Sequence, residues 1–385
     1  MRYWYLHQYF RTPEQGGAIR SYYLAKALVT AGHEVHMVTA HEAPNYLQKK
    51  VAGIQVHYLP VAYRQSMGLA SRGRAFRGYV EAVLRWATTQ SELPDRVYAT
   101  STPLTVGYLA YRLKQRYDIP YHFEVRDLWP DVPLQMLPAL KLLAPIFRFW
   151  ERHIYRHAEG VVALSSPMAE TVHRRAPKVP VTLIPNMADP ELFHPRVADA
   201  AWRKRWGIPV GHRVIAYTGS LGQANAPTTV LNFMELTHKA KLPIHWVLLG
   251  EGSYWEEVQE KAPENTSFFS LSSKADVAFL LGGADFALIS FLENIPVLGS
   301  NSPNKLFDAL ASGCVILTNR EGWYSQEVER AQAGKMVNKS TLILLLTEYL
   351  KNYQLLESTQ EKSVEMGARF ALQEWIPRWK KFINA

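Results

Sequence analysis

The chain has few of the residues that several kinds of chemistry require. It holds a single cysteine in 385 residues, Cys314, which excludes a disulfide framework and a cysteine-based metal cluster and fits a reducing compartment. Cys314 stands in an apolar stretch and reads as a small core residue. No apolar run approaches the roughly 18–20 residues of a membrane-spanning helix. The opening Met1-Arg2-Tyr3-Trp4-Tyr5-Leu6-His7-Gln8-Tyr9-Phe10 lacks the basic start, apolar core and small-residue cleavage site of a signal peptide, so a cytoplasmic location is expected. Asp-X-Asp is absent and the 13 histidines are scattered, so no metal is expected. No helix-turn-helix, zinc-finger or RNA-recognition motif is visible, which disfavours nucleic acid as a partner.

What is present is enough apolar residue for two cores: 48% hydrophobic, 12% aromatic, over a length that usually holds two domains. The net charge of +9 is one-sided. Residues 1–190 carry 23 Lys+Arg against 14 Asp+Glu, and the remainder carries 20 of each, so the first half should meet an acidic partner. Two segments concentrate that charge. Arg64, Arg72, Arg74, Arg77 and Arg85 read as a Gly-rich loop running into a helix with Tyr79, Val83, Leu84 and Trp86. Lys141, Arg148, Arg152 and Arg156 recur at helical spacing among Leu142, Ile146, Phe149 and Trp150. This is the pattern of a membrane-surface helix, or of a core helix with a solvated basic face. Arg74, Arg77, Arg148 and Arg152 are the candidates for an acceptor or membrane face, with an anionic bilayer as the expected partner.

Apolar strands alternate with helical segments in two successive blocks. The first contains strands at Trp4–Phe10, Val35–Thr39, Ile54–Leu59, Arg96–Thr100, Tyr121–Val125, Val161–Leu164 and Val181–Ile184, with a helix over Gly17–Thr30. A proline-rich break from Pro185 to Pro195 follows. Alternation then restarts at Val214–Thr218, Ile244–Leu249, Ser267–Phe269, Phe286–Ile289 and Val315–Thr318. The reading is α/β, with two doubly wound parallel-sheet domains over residues 1–187 and 188–365. The final segment, 366–385, is amphipathic and is expected to pack back on the first domain, bent or broken at Pro377.

Ligands of such sheets bind at the carboxyl ends of the strands. In the second block those ends carry Gly219 and Ser220, then Gly250-Glu251-Gly252, and then the run Ser302-Pro303-Asn304-Lys305-Leu306-Phe307-Asp308, a helix start closed by Gly313. Free N–H groups and the helix dipole there suit a phosphate, with Lys305 and Asp308 on one face. The alternative is an ordinary capped helix with a Lys305–Asp308 surface ion pair. Gly16-Gly17, with Arg20 a turn further on, permits close approach of an anion at the first helix. Arg126-Asp127-Leu128-Trp129-Pro130-Asp131 places charges just past a strand end, either for chemistry or as a structural pair.

These pieces, in this order, resemble a retaining glycosyltransferase of family 4 with the GT-B fold, two Rossmann-like domains facing across a cleft. The similarity covers nearly the whole chain. It rests on Gly16-Gly17, Ala31-Gly32-His33-Glu34-Val35, Ile184-Pro185-Asn186, Phe193-His194-Pro195, Gly219, Gly250-Glu251-Gly252 and Lys305 to Gly313. The Arg126–Pro130 stretch resembles the branch that includes N-acetylfucosamine transferases of surface polysaccharide (O-antigen or capsule) assembly.

The resemblance implies an enzyme that moves a sugar from a nucleotide sugar, expected to be a UDP-sugar, to a lipid-linked or glycan acceptor. Its place would be the inner face of the plasma membrane, and it would need no cofactor. The donor would be held by Gly16, Gly17, Gly219, Ser220, Gly250, Gly252, Ser302, Asn304, Lys305 and Asp308. Lys305 would stabilise the leaving diphosphate, Asp308 would hold the ribose, and Asp127 with Arg126 would handle the acceptor hydroxyl. The usual arginine after the first glycine turn is Ser220, and the usual lysine a few residues on falls in Gln223-Ala224-Asn225. That departure keeps open a catalytically weak GT-B scaffold or partner subunit at the membrane. A nucleotide-sugar epimerase would keep the fold and need no acceptor.

Overall fold

The computed structural model describes residues 1–64, 67–270 and 273–384. Two compact units emerge, one of Met1–Thr12, Ala18–Pro185 and Ile376–Ala385, the other of Pro13–Gly17 and Asn186–Trp375. The dividing points therefore lie at Pro185 and Trp375, where the sequence suggested 187 and 365. The short loop that contains Gly16 and Gly17 groups with the second unit although it stands in the first block of the sequence. Ala385, part of the expected tail, lies outside the described residues.

The first unit is built on β1 (Arg2–Leu6), β2 (Glu34–His41), β3 (Leu47–Val51), β4 (Ile54–Pro60), β5 (Arg96–Thr100), β6 (Tyr121–Val125), β7 (Gly160–Ala163) and β8 (Val181–Leu183). They form one sheet in the order β3-β4-β2-β1-β5-β6-β7-β8. All neighbours are parallel except β3, which runs antiparallel to β4. Strands enclosed on both faces read as continuous apolar runs, as in β1, where Tyr3, Trp4, Tyr5 and Leu6 are all buried. β1 ends at Leu6, four residues earlier than its apolar run suggests. Beyond it the chain stays tied to β2 through single bonds such as Ala40 N–H to the Gln8 carbonyl at 3.2 Å.

The second unit has β9 (Arg213–Ser220), β10 (Ile244–Glu251), β11 (Thr266–Ser270), β12 (Phe286–Ile289), β13 (Val315–Thr318) and β14 (Gly334–Met336). The order is β11-β10-β9-β12-β13-β14, parallel throughout. Its core packs Tyr217, Trp246, Leu248, Phe286, Leu288 and Leu317 against Val230, Phe233 and Leu346 of the flanking helices. In each sheet the strand order reverses once, between β1 and β5 and between β9 and β12. The carboxyl ends at such a reversal splay apart and leave a crevice, so the topology alone nominates two places to look for chemistry.

Two features were not visible as elements. β3 is exposed along nearly its whole length and β14 has three residues. The basic run at 72–77 is helical, inside Leu69–Thr88, and not in a loop leading to a helix. The C-terminal helix Leu372–Ile383 continues through Pro377. Its last residues belong to the first unit: Trp379 is fully buried with its ring edge-on to Tyr98, and Tyr3 donates to Asn384 at 2.7 Å.

Candidate functional site

Beside the reversal point of the second sheet, β9 and β10 run in register to their ends, with Gly219 opposite Gly250 and Ser220 opposite Glu251. Gly219 has φ +104°, in the region that L side chains rarely adopt. A Cβ on Gly252 would lie 2.7 Å from the backbone of Leu221, so this second turn can close over the first only as glycine. The two turns are locked by Leu221 N–H to the Glu251 carbonyl at 2.8 Å and Tyr254 N–H to the Leu221 carbonyl at 3.1 Å. Tyr217 donates to the Ser220 carbonyl at 2.8 Å.

Against these turns stands the start of the helix Asn304–Ala311. Its first turn has no side-chain cap, and although Leu306 N–H bonds the Pro303 carbonyl at 3.1 Å, a helix start of this kind offers backbone N–H groups to a ligand. Lys305, its second residue, reaches back so that a Cβ on Gly219 would lie 3.8 Å from its Nζ. The ammonium sits 4.0 Å above the Tyr217 ring. Part of the side chain reaches solvent, but Nζ itself is buried and has no hydrogen-bond partner. Burial pushes its pKa down to about 7. An ammonium in that position lacks an anion.

The alternative surface pair with Asp308 does not form. Asp308 is 4% exposed and bonds Lys274 Nζ at 2.5 Å, and Lys274 in turn lies 5.1 Å from the Phe193 ring. Its Oδ2 is thus engaged by Lys274 and not by Lys305. Burial raises its carboxyl pKa against the pull of that lysine. Ser302 is buried and braces the loop: its hydroxyl accepts from Asn186 N–H at 3.4 Å, and its carbonyl accepts from the Asn186 side chain. Asn304 stays partly exposed at the first helical position. Gly16 and Gly17 both have positive φ, and the turn Pro13–Gln15 before them packs on the helix Lys274–Gly283.

In the first unit, Arg126 and Asp127 follow β6. Arg126 N–H donates to Ser101 Oγ at 2.9 Å, and its guanidinium lies 3.4 Å from His7 Nε2. His7, Ser101 and Arg126 thus gather at the ends of β1, β5 and β6. Burial holds the His7 pKa well below its ordinary value, with Arg126 adding to the effect. Burial raises the Asp127 carboxyl pKa, opposed by Arg126 and by a hydrogen bond from Thr102. Arg20, expected near an anion, is instead enclosed, with each of its nitrogens bonded. It bonds Glu124 at 2.9 Å and the carbonyls of Pro185 and Ile184 at 2.5 and 3.0 Å.

Two further expectations are corrected by charge pairing. Arg148, its side chain 32% exposed, is not a free cation, because it bonds Asp131 at 2.5 Å and approaches Glu151 at 3.8 Å. Asp131 and Glu151 also both engage Arg175, so Asp131 braces the helix Ala144–His157 and takes no part in the Arg126–Asp127 group. Arg77 is exposed but paired with Glu81, and Arg74 is exposed and bonds Ser71. Arg152 is exposed and forms no ion pair among the described residues. Tyr217, Lys274 and Asn186 carry weight that their sequence context did not announce. The aromatic residue two before a glycine turn was the only sign of the first.

Comparison with known proteins bears on the fold that carries these residues. Residues 15–187 match the family model described as a glycosyl transferase 4-like domain. The matched stretch, a little under half of the chain, is similar to a glycosyltransferase domain. The chain has the fold of GT-B glycosyltransferases, and it is a transferase. A sucrose-phosphate synthase from Thermosynechococcus elongatus superposes with TM-score 0.76 at 17% identity, covering 100% of this chain and 98% of its own. WaaG, a glycosyltransferase involved in lipopolysaccharide biosynthesis, gives 0.69 at 16% identity and 98% of both chains. Anabaena HepE in complex with UDP-glucose gives 0.72 at 12% identity, covering 100% and 99%. No curated protein sequence matches the chain. Among the described residues, no helix is long and apolar enough to cross a membrane.

Proposed function

We propose that the glycosyltransferase takes a UDP-sugar in its second domain and passes the sugar, with retention, to a lipid-linked or glycan acceptor held by the first. The observation that carries the donor half is the buried, unpartnered Lys305 ammonium beside the Gly219 turn and the uncapped helix start. As the bond from the sugar's anomeric carbon to the diphosphate breaks, charge accumulates on the leaving oxygen. A cation already desolvated and fixed stabilises that charge without reorganisation. The acceptor oxygen bonds the anomeric carbon on the face the diphosphate leaves, and its proton passes to the departing phosphate oxygen. This path needs no covalent nucleophile, no metal and no cofactor. Asp127, its carboxyl pKa raised by burial, orients the acceptor hydroxyl, with Arg126 beside it.

The lipid-linked acceptor is supported by the basic first domain, which suits a lipid diphosphate, and the resemblance of Arg126–Pro130 supports a place in surface polysaccharide assembly on the cytoplasmic side of the membrane. WaaG, a structural neighbour, is described as acting in lipopolysaccharide biosynthesis. The missing basic residue at Ser220 leaves Lys305 and backbone N–H groups to hold the diphosphate.

The test is thermal unfolding with UDP, GDP, ADP and dTDP. A ligand at about 100 times its dissociation constant adds roughly 2.7 kcal/mol, which moves the midpoint by several degrees. UDP alone should do so in the native chain and not in Lys305→Ala. A shift with GDP alone would change the donor and keep the class; no shift with any nucleotide would leave the scaffold reading in its place.

A further inference from the structure

The first unit carries a surface that the transfer reaction does not use. From Leu137 to Phe149, five large apolar residues stand in water within one short stretch: Leu137, Leu142, Leu143, Ile146 and Phe149, with Leu142 at 89% exposure and Phe149 at 59%. They lie on the 3-10 turn Pro138–Leu143 and the first half of the helix Ala144–His157. Isolated exposed apolar residues are ordinary, but a contiguous group marks a place of contact. Lys141, Arg152 and Arg156 flank the group, all exposed and none in an ion pair among the described residues. No acidic residue occurs between Val132 and Trp150. The two that bracket the stretch, Asp131 and Glu151, are buried and neutralised by Arg148 and Arg175. Pro145, Phe149, Arg152, His153 and Arg156 also line a shallow depression of about 230 Å³ between apolar and cationic groups.

We propose that this face docks the first domain on an anionic bilayer, the leucines, Ile146 and Phe149 entering the headgroup boundary while Lys141, Arg152 and Arg156 meet lipid phosphates. The division of labour on one helix decides this. Arg148 is spent on Asp131 and Glu151, which fixes the helix to the domain and neutralises the two carboxylates that would otherwise oppose lipid phosphates. A second copy of the chain fits less well, since a twofold contact through this face would bring its uncompensated cations against their own counterparts. A bilayer supplies both an apolar boundary and negative charge. The proposal rests on the lipid-linked acceptor reading for its purpose and not for its test, because vesicle binding can be measured without donor or acceptor.

The experiment is co-sedimentation of the full chain with vesicles of phosphatidylcholine alone and of phosphatidylcholine with 30% phosphatidylglycerol, at low and high salt. Each exposed cation near an anionic surface is worth roughly fivefold in partitioning. Arg152→Glu with Arg156→Glu should therefore lower binding to the anionic vesicles by at least about tenfold, and added salt should release the native chain. Ile146→Ser with Phe149→Ser should abolish residual binding at high salt. All four side chains are solvent-facing, so unfolding midpoints should hold within a degree or two. Lys305→Ala, altered in the other domain, should bind vesicles like the native chain. Equal binding to neutral and anionic vesicles, indifference to both double substitutions, or a chain that dimerises through this face and ignores vesicles would each overturn the proposal.

Discussion

Arg20 and Lys305 both hold their charged groups away from water near the end of a parallel strand, and their surroundings are opposite. Arg20 has a carboxylate and two carbonyls, and Glu124 is bonded in return by Tyr98 at 2.8 Å and by Thr100. Lys305 has an aromatic face and, among the described residues, no hydrogen-bond partner for its Nζ. A buried charge paired on each of its nitrogens is architecture: it fixes β6 to the chain leaving β8. An unsaturated one is held at a cost by the fold around it, and that cost is relieved when an anion arrives.

The largest effect that could break this comparison is on Arg20. Arg20→Met strands Glu124 in the core, and removing one partner of a buried pair costs about 3–5 kcal/mol. The unfolding midpoint should fall steeply, and adding Glu124→Leu should recover most of it. Lys305→Met should do the reverse, lowering transfer by about 10²–10³-fold, the range for losing one group that stabilises leaving-group charge, while the midpoint holds or rises. A Lys305→Met protein that unfolds early would mean the lysine is structural after all.

Titration sharpens the contrast, since the two sites respond at opposite ends of the pH scale. Lys305 has a folded pKa of about 7 against an ordinary 10.5. Between those values the unfolded chain holds a proton the folded chain lacks, so the free protein gains stability as pH rises from 7 towards 10.5, and the penalty is present in full below 7. A diphosphate needs the charged form, so the UDP-induced rise in midpoint should shrink from pH 7 to pH 9. Calorimetry should show proton uptake on UDP binding in the native chain and none in Lys305→Met. For Glu124, burial pushes the pKa up but Arg20, Arg126, Thr100 and Tyr98 prevail and hold it below 4.5. Its contribution is present above 4.5 and is withdrawn on acidification through its folded value.

The smallest expected effect is at Tyr217. Replacing the ring under a desolvated ammonium is worth about 0.5–2 kcal/mol, so Tyr217→Leu should weaken UDP binding by roughly 2–30-fold in an equilibrium titration. Tyr217→Phe, which keeps the face and loses only the bond to Ser220, should fall between it and the native chain.

The same contrast shows what the sequence made legible. The buried strands were readable because a strand covered on both sides must be apolar throughout, and β5, β6, β12 and β13 have the expected limits. β3 was not, because its exposed Gln-Lys-Lys face carries no apolar pattern. Gly219, Gly250 and Lys305 stood out as glycine turns and a helix start, which are local signals. The partner of a charge is not local. Lys274 lies 34 positions from Asp308 and Glu124 lies 104 from Arg20, so which cation is saturated is decided by the fold. Arg148 shows the same limit: helical spacing put it with Arg152, and only the packed helix pairs the one with Asp131 and leaves the other exposed.

The helix Leu372–Ile383 has one further implication, for the way the molecule comes into being. Trp379 and Phe382 fill places in the first unit beside Tyr98, His122 and Gly160, and the chain reaches them only after all of Asn186–Trp375 has been made. On the ribosome, the half that begins first is finished last. Until its plug arrives it stands open at Tyr98, next to the Glu124 charge, while the second unit already has every residue it needs to close its own core.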